Sequence, residues 1–298
     1  MRRLAPLLLA LALAACGGAT TPRPAESGDA ELARLRRSAQ LAYGQGRYDQ
    51  AATLYRGAID RAGARDDGTA LADLGYDLAV SELRRGKPQE ALAAARAARA
   101  ELARRGRGPF AELLLVEAAA AYRTGDARAA AGLVDAALAA PDATPELRAR
   151  ARFIGGEIAA DARDRAALAA ALAALDGLAG TETAGDRGEL AGRLAMLDGD
   201  AAPAGDRFLA AADARRETLD YAGMARSLAR AAAAREAAGR GAEAADLYLR
   251  AGRSVALAGF GGDARPWLSR AAELARAAGR PELAREADAL LQRAASAR

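Results

Sequence analysis

Few side chains in this 298-residue chain can do covalent chemistry. Histidine is absent, Cys16 is the only cysteine and Lys87 the only lysine. A Ser or Thr nucleophile therefore lacks its commonest base, and a Ser–Lys pair would need Lys87, which sits in the polar break RGKPQ. Cys or His metal sites have no ligands to draw on, and an intramolecular disulfide cannot form. The 39 acidic residues could in principle supply a carboxylate pair for glycoside cleavage. Every one that can be placed falls on a charged helical face or at a helix start, where solvated charge is the expectation. The segment AGFGGDARP from Ala258 to Pro266 is glycine-rich, yet it lacks the Lys-Ser/Thr of a phosphate loop and follows a helical run. It reads as a loop in which Asp263 caps the next helix. No enzyme, cofactor or metal is expected on these grounds. The formal charge of +4 falls to about +2 without Arg2 and Arg3, too little to point to nucleic acid.

The sole thiol has a different chemistry open to it. Residues 1–16, MRRLAPLLLALALAAC, run from two arginines through an apolar stretch to small residues and the cysteine, the layout of a signal peptide and its processing site. The stretch Leu4 to Leu13 is too short to span a bilayer, and the Gly-, Thr- and Pro-rich residues behind it carry no stop-transfer pattern. Leu13-Ala14-Ala15-Cys16 closely resembles the bacterial lipobox. That resemblance implies cleavage before Cys16 and diacylglycerol on its sulfur; an ordinary secretory peptide with an incidental cysteine is the alternative. Gly17 behind the cysteine implies, for a Gram-negative cell, an outer-membrane lipoprotein facing the periplasm. The inner membrane's outer leaflet or a Gram-positive surface follows if the source differs. Residues 1–15 are thus expected to be a leader and 16–28 a flexible tether.

From Asp29 onward the chain is Ala-, Leu-, Arg- and Glu-rich helical sequence with no strand alternation; Ala fills roughly 30% of positions and aromatics only 4%. Polar breaks recur at Gly46, Gly86, Gly125, Arg163, Gly199, Gly239 and Gly279, spaced by 40, 39, 38, 36, 40 and 40 residues. Seven residues before each break lie Ala39, Ala79, Ala118, Gly156, Gly192, Ala232 and Ala272. Five after lie Ala51, Ala91, Ala130, Leu168, Ala204, Ala244 and Ala284. Small residues recurring there mark close helix crossings, while Tyr55, Val134, Leu172, Phe208 and Tyr248 at the ninth position would fill the space between hairpins. Pro88, Pro109, Pro145, Pro203 and Pro281 fall at expected helix starts, with Asp142 and Thr144 as further start signals.

The pattern resembles the tetratricopeptide repeat, most plainly in AYGQGRYDQAATLYRGAI, where Gly46, Tyr48, Ala51, Tyr55 and Ala58 stand at that family's spacing. The period is longer than the family's 34, so longer helices are expected, and a HEAT-type array is the structural alternative. The resemblance implies an all-α, right-handed solenoid of about seven helix-turn-helix repeats. Residues 29–178 would form hairpins one to four, 179–187 a hinge or spacer, and 188–298 hairpins five to seven. In such arrays the first helix of each hairpin lines a concave groove, which assigns Arg36, Tyr43, Tyr76, Arg84, Tyr122, Arg123 and Phe153 to a partner-binding surface. Aromatics and arginines are the residue types that dominate binding hot spots, and the last three hairpins offer mostly Ala, Arg and Glu on that face. The family's Lys- and Asn-based clamp for a peptide C-terminus is excluded by composition, although arginines can hold acidic segments bidentately. The expected function is a membrane-anchored scaffold that binds an envelope protein or extended peptide. A cell-wall enzyme or glycan binder, or a small-molecule-binding lipoprotein, are the alternatives. An open groove, a buried carboxylate pair or an enclosed apolar pocket would respectively tell them apart.

Overall fold

The computed structural model describes residues 29–176, 181–258 and 264–296. These residues form fourteen helices and no strand, arranged as seven consecutive hairpins. Hairpin one is α1 (Ala30–Gly44) and α2 (Tyr48–Gly63), two is α3 (Gly68–Arg84) and α4 (Pro88–Arg104), and three is α5 (Ala111–Arg123) and α6 (Ala127–Ala139). Hairpin four is α7 (Pro145–Asp161) and α8 (Arg165–Asp176), and five is α9 (Thr181–Leu197) and α10 (Ala201–Glu217). Six is α11 (Tyr221–Ala237) and α12 (Gly241–Ala258), and seven is α13 (Arg265–Ala277) and α14 (Pro281–Ser296). Cys16 with its leader and tether, and Asp263, lie outside the described residues.

All seven expected breaks are the turns inside the hairpins, and each break residue is left-handed, with φ from +57° at Arg163 to +88° at Gly125. That conformation closes the first helix of the hairpin by exposing no β-carbon clash where glycine stands. Aspartates then start several helices: Asp29 accepts from the amides of Glu31 and Leu32 at 3.0 and 3.1 Å, and Asp67, Asp126, Asp164 and Asp220 cap α3, α6, α8 and α11. Thr144 caps α7, whereas Asp142 accepts the Ala111 amide at 3.0 Å and so caps α5 of the preceding hairpin. Prolines 88, 145 and 281 are the first residues of their helices.

The core is a stack of Ala-rich contacts rather than one large centre. Every small residue seven before a break and every residue five after one is buried. Tyr55, Val134 and Phe208 fill the layers between them, and Trp267 packs half-buried between the last two layers. Four successive first helices also touch one another, α3 with α5, α5 with α7 and α7 with α9, which makes their shared face continuous from α3 to α9. The stretch expected as a hinge at 179–187 is different in part. Residues 181–187 are the first two turns of α9, because Gly185 and Gly188 lie against α10 and let that helix approach. Residues 179 and 180 lie outside the described residues.

Candidate functional site

Two polar assemblies occupy the face made by the first helices. The first is a network of buried charge across hairpins four to six. Arg230 on α11 donates to both oxygens of Glu157 on α7, at 2.7 and 3.0 Å, and to Glu189 on α9. Glu189, fully buried, also accepts from Arg215 at 2.5 Å and from the Ser227 hydroxyl at 2.5 Å. Arg193 bridges Glu157 at 3.2 Å and Asp161, and the Tyr122 hydroxyl donates to Asp161 at 2.5 Å. The Arg215 guanidinium lies 5.6 Å over the Phe153 ring. Burial alone would raise the Glu189 carboxyl, but Arg230 and Arg215 outweigh it and hold it below the usual carboxylate range. The acidic residues are therefore not all solvated: Glu82, Glu101, Glu117, Glu157, Glu189 and Asp29 are buried, each with an arginine partner. A glycosidase needs one carboxyl that keeps its proton. Glu157 and Glu189 instead share a cation, which is the arrangement of a structural ion network.

The second assembly is a cavity of about 220 Å³ between hairpins two and three on one side and the α10–α11 corner on the other. Arg84 from the end of α3, Arg123 from the end of α5 and Arg226 from α11 all line it, with Tyr48, Leu219 and Tyr221 at its edges. Water reaches all three guanidinium-bearing residues although protein surrounds them, the signature of a concavity. Burial and the positive charge of Arg123 push the Arg226 pKa down to about 10. Burial and Arg84 likewise lower Arg123. Burial pulls on Arg84 too, but the neighbouring Tyr43 and Tyr48 oxygens and Asp220 reverse the sign. Leu219 projects 69% exposed from a left-handed backbone, φ +60°, that leucine rarely adopts.

No protein-family model matches the chain, and no curated protein sequence is similar to it. Solved structures do resemble it. The apo form of the quorum sensor NprR from B. thuringiensis matches with a TM-score of 0.57 at 10% identity, covering 89% of this chain and 88% of that one. A Rap protein complexed with Competence and Sporulation Factor gives 0.51 at 15% identity over 90% and 99%. A tetratricopeptide repeat protein from Parabacteroides merdae is also similar, at 0.47 and 17% identity over 86% and 98%. The fold is a tetratricopeptide-like solenoid.

Within this tetratricopeptide-like array the seven residues assigned to a groove are all on first helices, but they do not form one surface. Arg84 and Arg123 share the cavity, and Tyr43 stands beside Arg84 with its ring 5.3 Å from that of Tyr48, edge-on. Tyr122 and Phe153 belong to the ion network. Tyr76 packs edge-on against Phe110 at 5.6 Å on the Ala72–Ala79 layer, and Arg36 is exposed, near enough to Asp77 to act on its charge. The sequence reading missed Arg226, Asp220, Leu219 and Tyr221, and with them the part the C-terminal hairpins play. Their one sequence signal is TLDYAG, residues 218–223, where Leu219 takes a left-handed turn position that the other described turns give to Gly, Asp66 or Arg163. Among the described residues no group of three or more Asp, Glu or Cys side chains converges on a metal site.

Proposed function

We propose that the chain is a membrane-tethered interaction scaffold whose concave, first-helix face holds an extended peptide or a segment of an envelope protein. The observation that carries this reading is the first-helix face, continuous from α3 to α9, with a concavity lined by arginines and tyrosines and open to the exterior rather than enclosed by apolar side chains. A solved structure of similar fold is that of a Rap protein complexed with Competence and Sporulation Factor. The tether rests on the lipobox-like segment at Cys16, which makes a bacterial outer-membrane lipoprotein facing the periplasm the fitting location; no described helix is long and apolar enough to cross a membrane. Lipidation would hold the array at the surface with about 0.8 kcal/mol per buried methylene.

A photo-crosslinking residue at position 123, inside the concavity, compared with one at Thr53 on the exposed face of α2, tests the reading in membranes carrying the full chain. A polypeptide joined to position 123 and not to 53 is the expected result, and equal labelling at both sites, or labelling only at 53, would overturn it. Replacing Cys16 with Ser should release the chain from the membrane or leave it unprocessed. Membrane retention and processing at the wild-type level would remove the tether from the proposal.

A further inference from the structure

The cavity between the two arms of the solenoid is unusual in its charge. Arg84, Arg123 and Arg226 come from α3, α5 and α11, more than a hundred residues apart at the extremes, and meet around one solvent-accessible space. Among the described residues none of the three has a carboxylate within 4 Å, while the neighbouring inward arginines Arg193, Arg215 and Arg230 are each paired with one. Among the described residues the Arg123 guanidinium makes one hydrogen bond, to the Leu83 carbonyl at 3.1 Å. Asp220 is the one acidic residue lining the space, and it is already committed: its Oδ1 accepts the Gly223 amide at 3.0 Å as the cap of α11. Three cations against one engaged carboxylate leave an excess of positive charge in a partly desolvated place, which costs free energy unless an anion enters.

We propose that Arg84, Arg123 and Arg226 form a binding site for an oxoanion, a carboxylate or a phosphate group, held across the gap between hairpins two and three and the α10–α11 corner. Guanidinium planes match two oxygens of such a group at once, which a halide cannot offer. The space of about 220 Å³ suits one charged group and a short apolar continuation against Val80 and Val116, and is too small for a whole cofactor. The strained, exposed Leu219 at its rim fits a segment shaped for contact rather than for folding. The site stands independently of the crosslinking result, because it concerns which chemical group binds and not whether a macromolecule carries it.

Calorimetric titration of the full chain in detergent with inorganic phosphate, chloride replacing it at equal ionic strength in the control, tests the site directly. Saturable phosphate binding is expected, weakened at least tenfold by Arg226→Gln and by Arg84→Gln, and unchanged by Arg128→Gln, which removes the same charge from an exposed position on α6. Amide hydrogen exchange at residues 218–222 should slow with phosphate in the wild type alone. A blocked pentapeptide with one central Glu, compared with its Gln counterpart, identifies the source. Displacement of phosphate by the Glu peptide assigns the site to a polypeptide carboxylate, and binding of phosphate without displacement assigns it to phosphate-bearing ligands. Absence of saturable binding for both probes, or equal binding by the wild type and both site variants, overturns the proposal.

Discussion

Asp77 and Glu189 are both acidic residues turned toward the inner face, and they behave in opposite ways. Glu189 is surrounded by Arg215, Arg230 and Ser227 and stays ionised. Asp77 on α3 has no such partner, and burial, reinforced by Asp73 one turn away and opposed by Arg36, raises it to about 6. A carboxyl that binds its proton more tightly folded than unfolded adds stability below its unfolded pKa of 3.8, and that stability is lost as pH rises through about 6. Asp77→Asn should therefore raise the thermal midpoint at pH 7.5, by the equivalent of about 1 kcal/mol, and leave it nearly unchanged at pH 4. Thermal melts across that range check it. Glu189→Ala leaves two inward arginines without their shared anion and should cost roughly 3 kcal/mol or more, measured by urea unfolding. Neither residue's state was legible in the sequence. An Asp or Glu among Ala and Arg looks the same whether its partner is solvent or an arginine of another hairpin.

At the scale of the helix and its turn, the sequence was far more informative. The seven breaks and the small residues around them are local features, so their spacing alone gave hairpin joints and helix crossings in the places the structure has them. Arg163 shows how firmly the joint is set, because it takes φ +57° where the other six breaks use glycine. Arg163→Gly should relieve that conformation and, after the added freedom of the unfolded chain, stabilise by about 0.5 kcal/mol. Glycine elsewhere was ambiguous. The run of residues 176–187 looked like a spacer, yet Gly185 within it lies against α10, as do Gly188 and Gly192 further along the same helix, where a β-carbon on Gly192 would stand 2.6 Å from the buried Phe208 ring. The sign of one substitution separates the two meanings. In a free helix Gly192→Ala would gain close to 1 kcal/mol of propensity, but against an immovable ring it should lose about 1 to 3 kcal/mol. Equilibrium unfolding of the single variant reads that sign.

A solenoid is a chain of nearest-neighbour contacts, which is why a period in the sequence can disclose its architecture and why contacts beyond the neighbour stay hidden. The tetratricopeptide resemblance put Arg84 and Arg123 on one face of the first helices, but nothing in the period says that Arg226 lines the same space. The same holds for Arg230, whose side chain joins Glu157 across 73 residues and so ties hairpin four to hairpin six over the top of hairpin five. Such a strap should make hairpins four to six open together, where a simple array would open one repeat at a time. Arg230→Ala removes the strap and leaves Glu157 with Arg193, and Glu189 with Arg215. Native-state hydrogen exchange should then show the opening free energy of amides in α7, α9 and α11 reduced by roughly 2 to 4 kcal/mol. Amides in α2 and α14, which make no contact with the strap, should keep their wild-type values. A uniform fall in protection along all seven hairpins would mean that the array already unfolds as one unit and that Arg230 contributes stability without organising it.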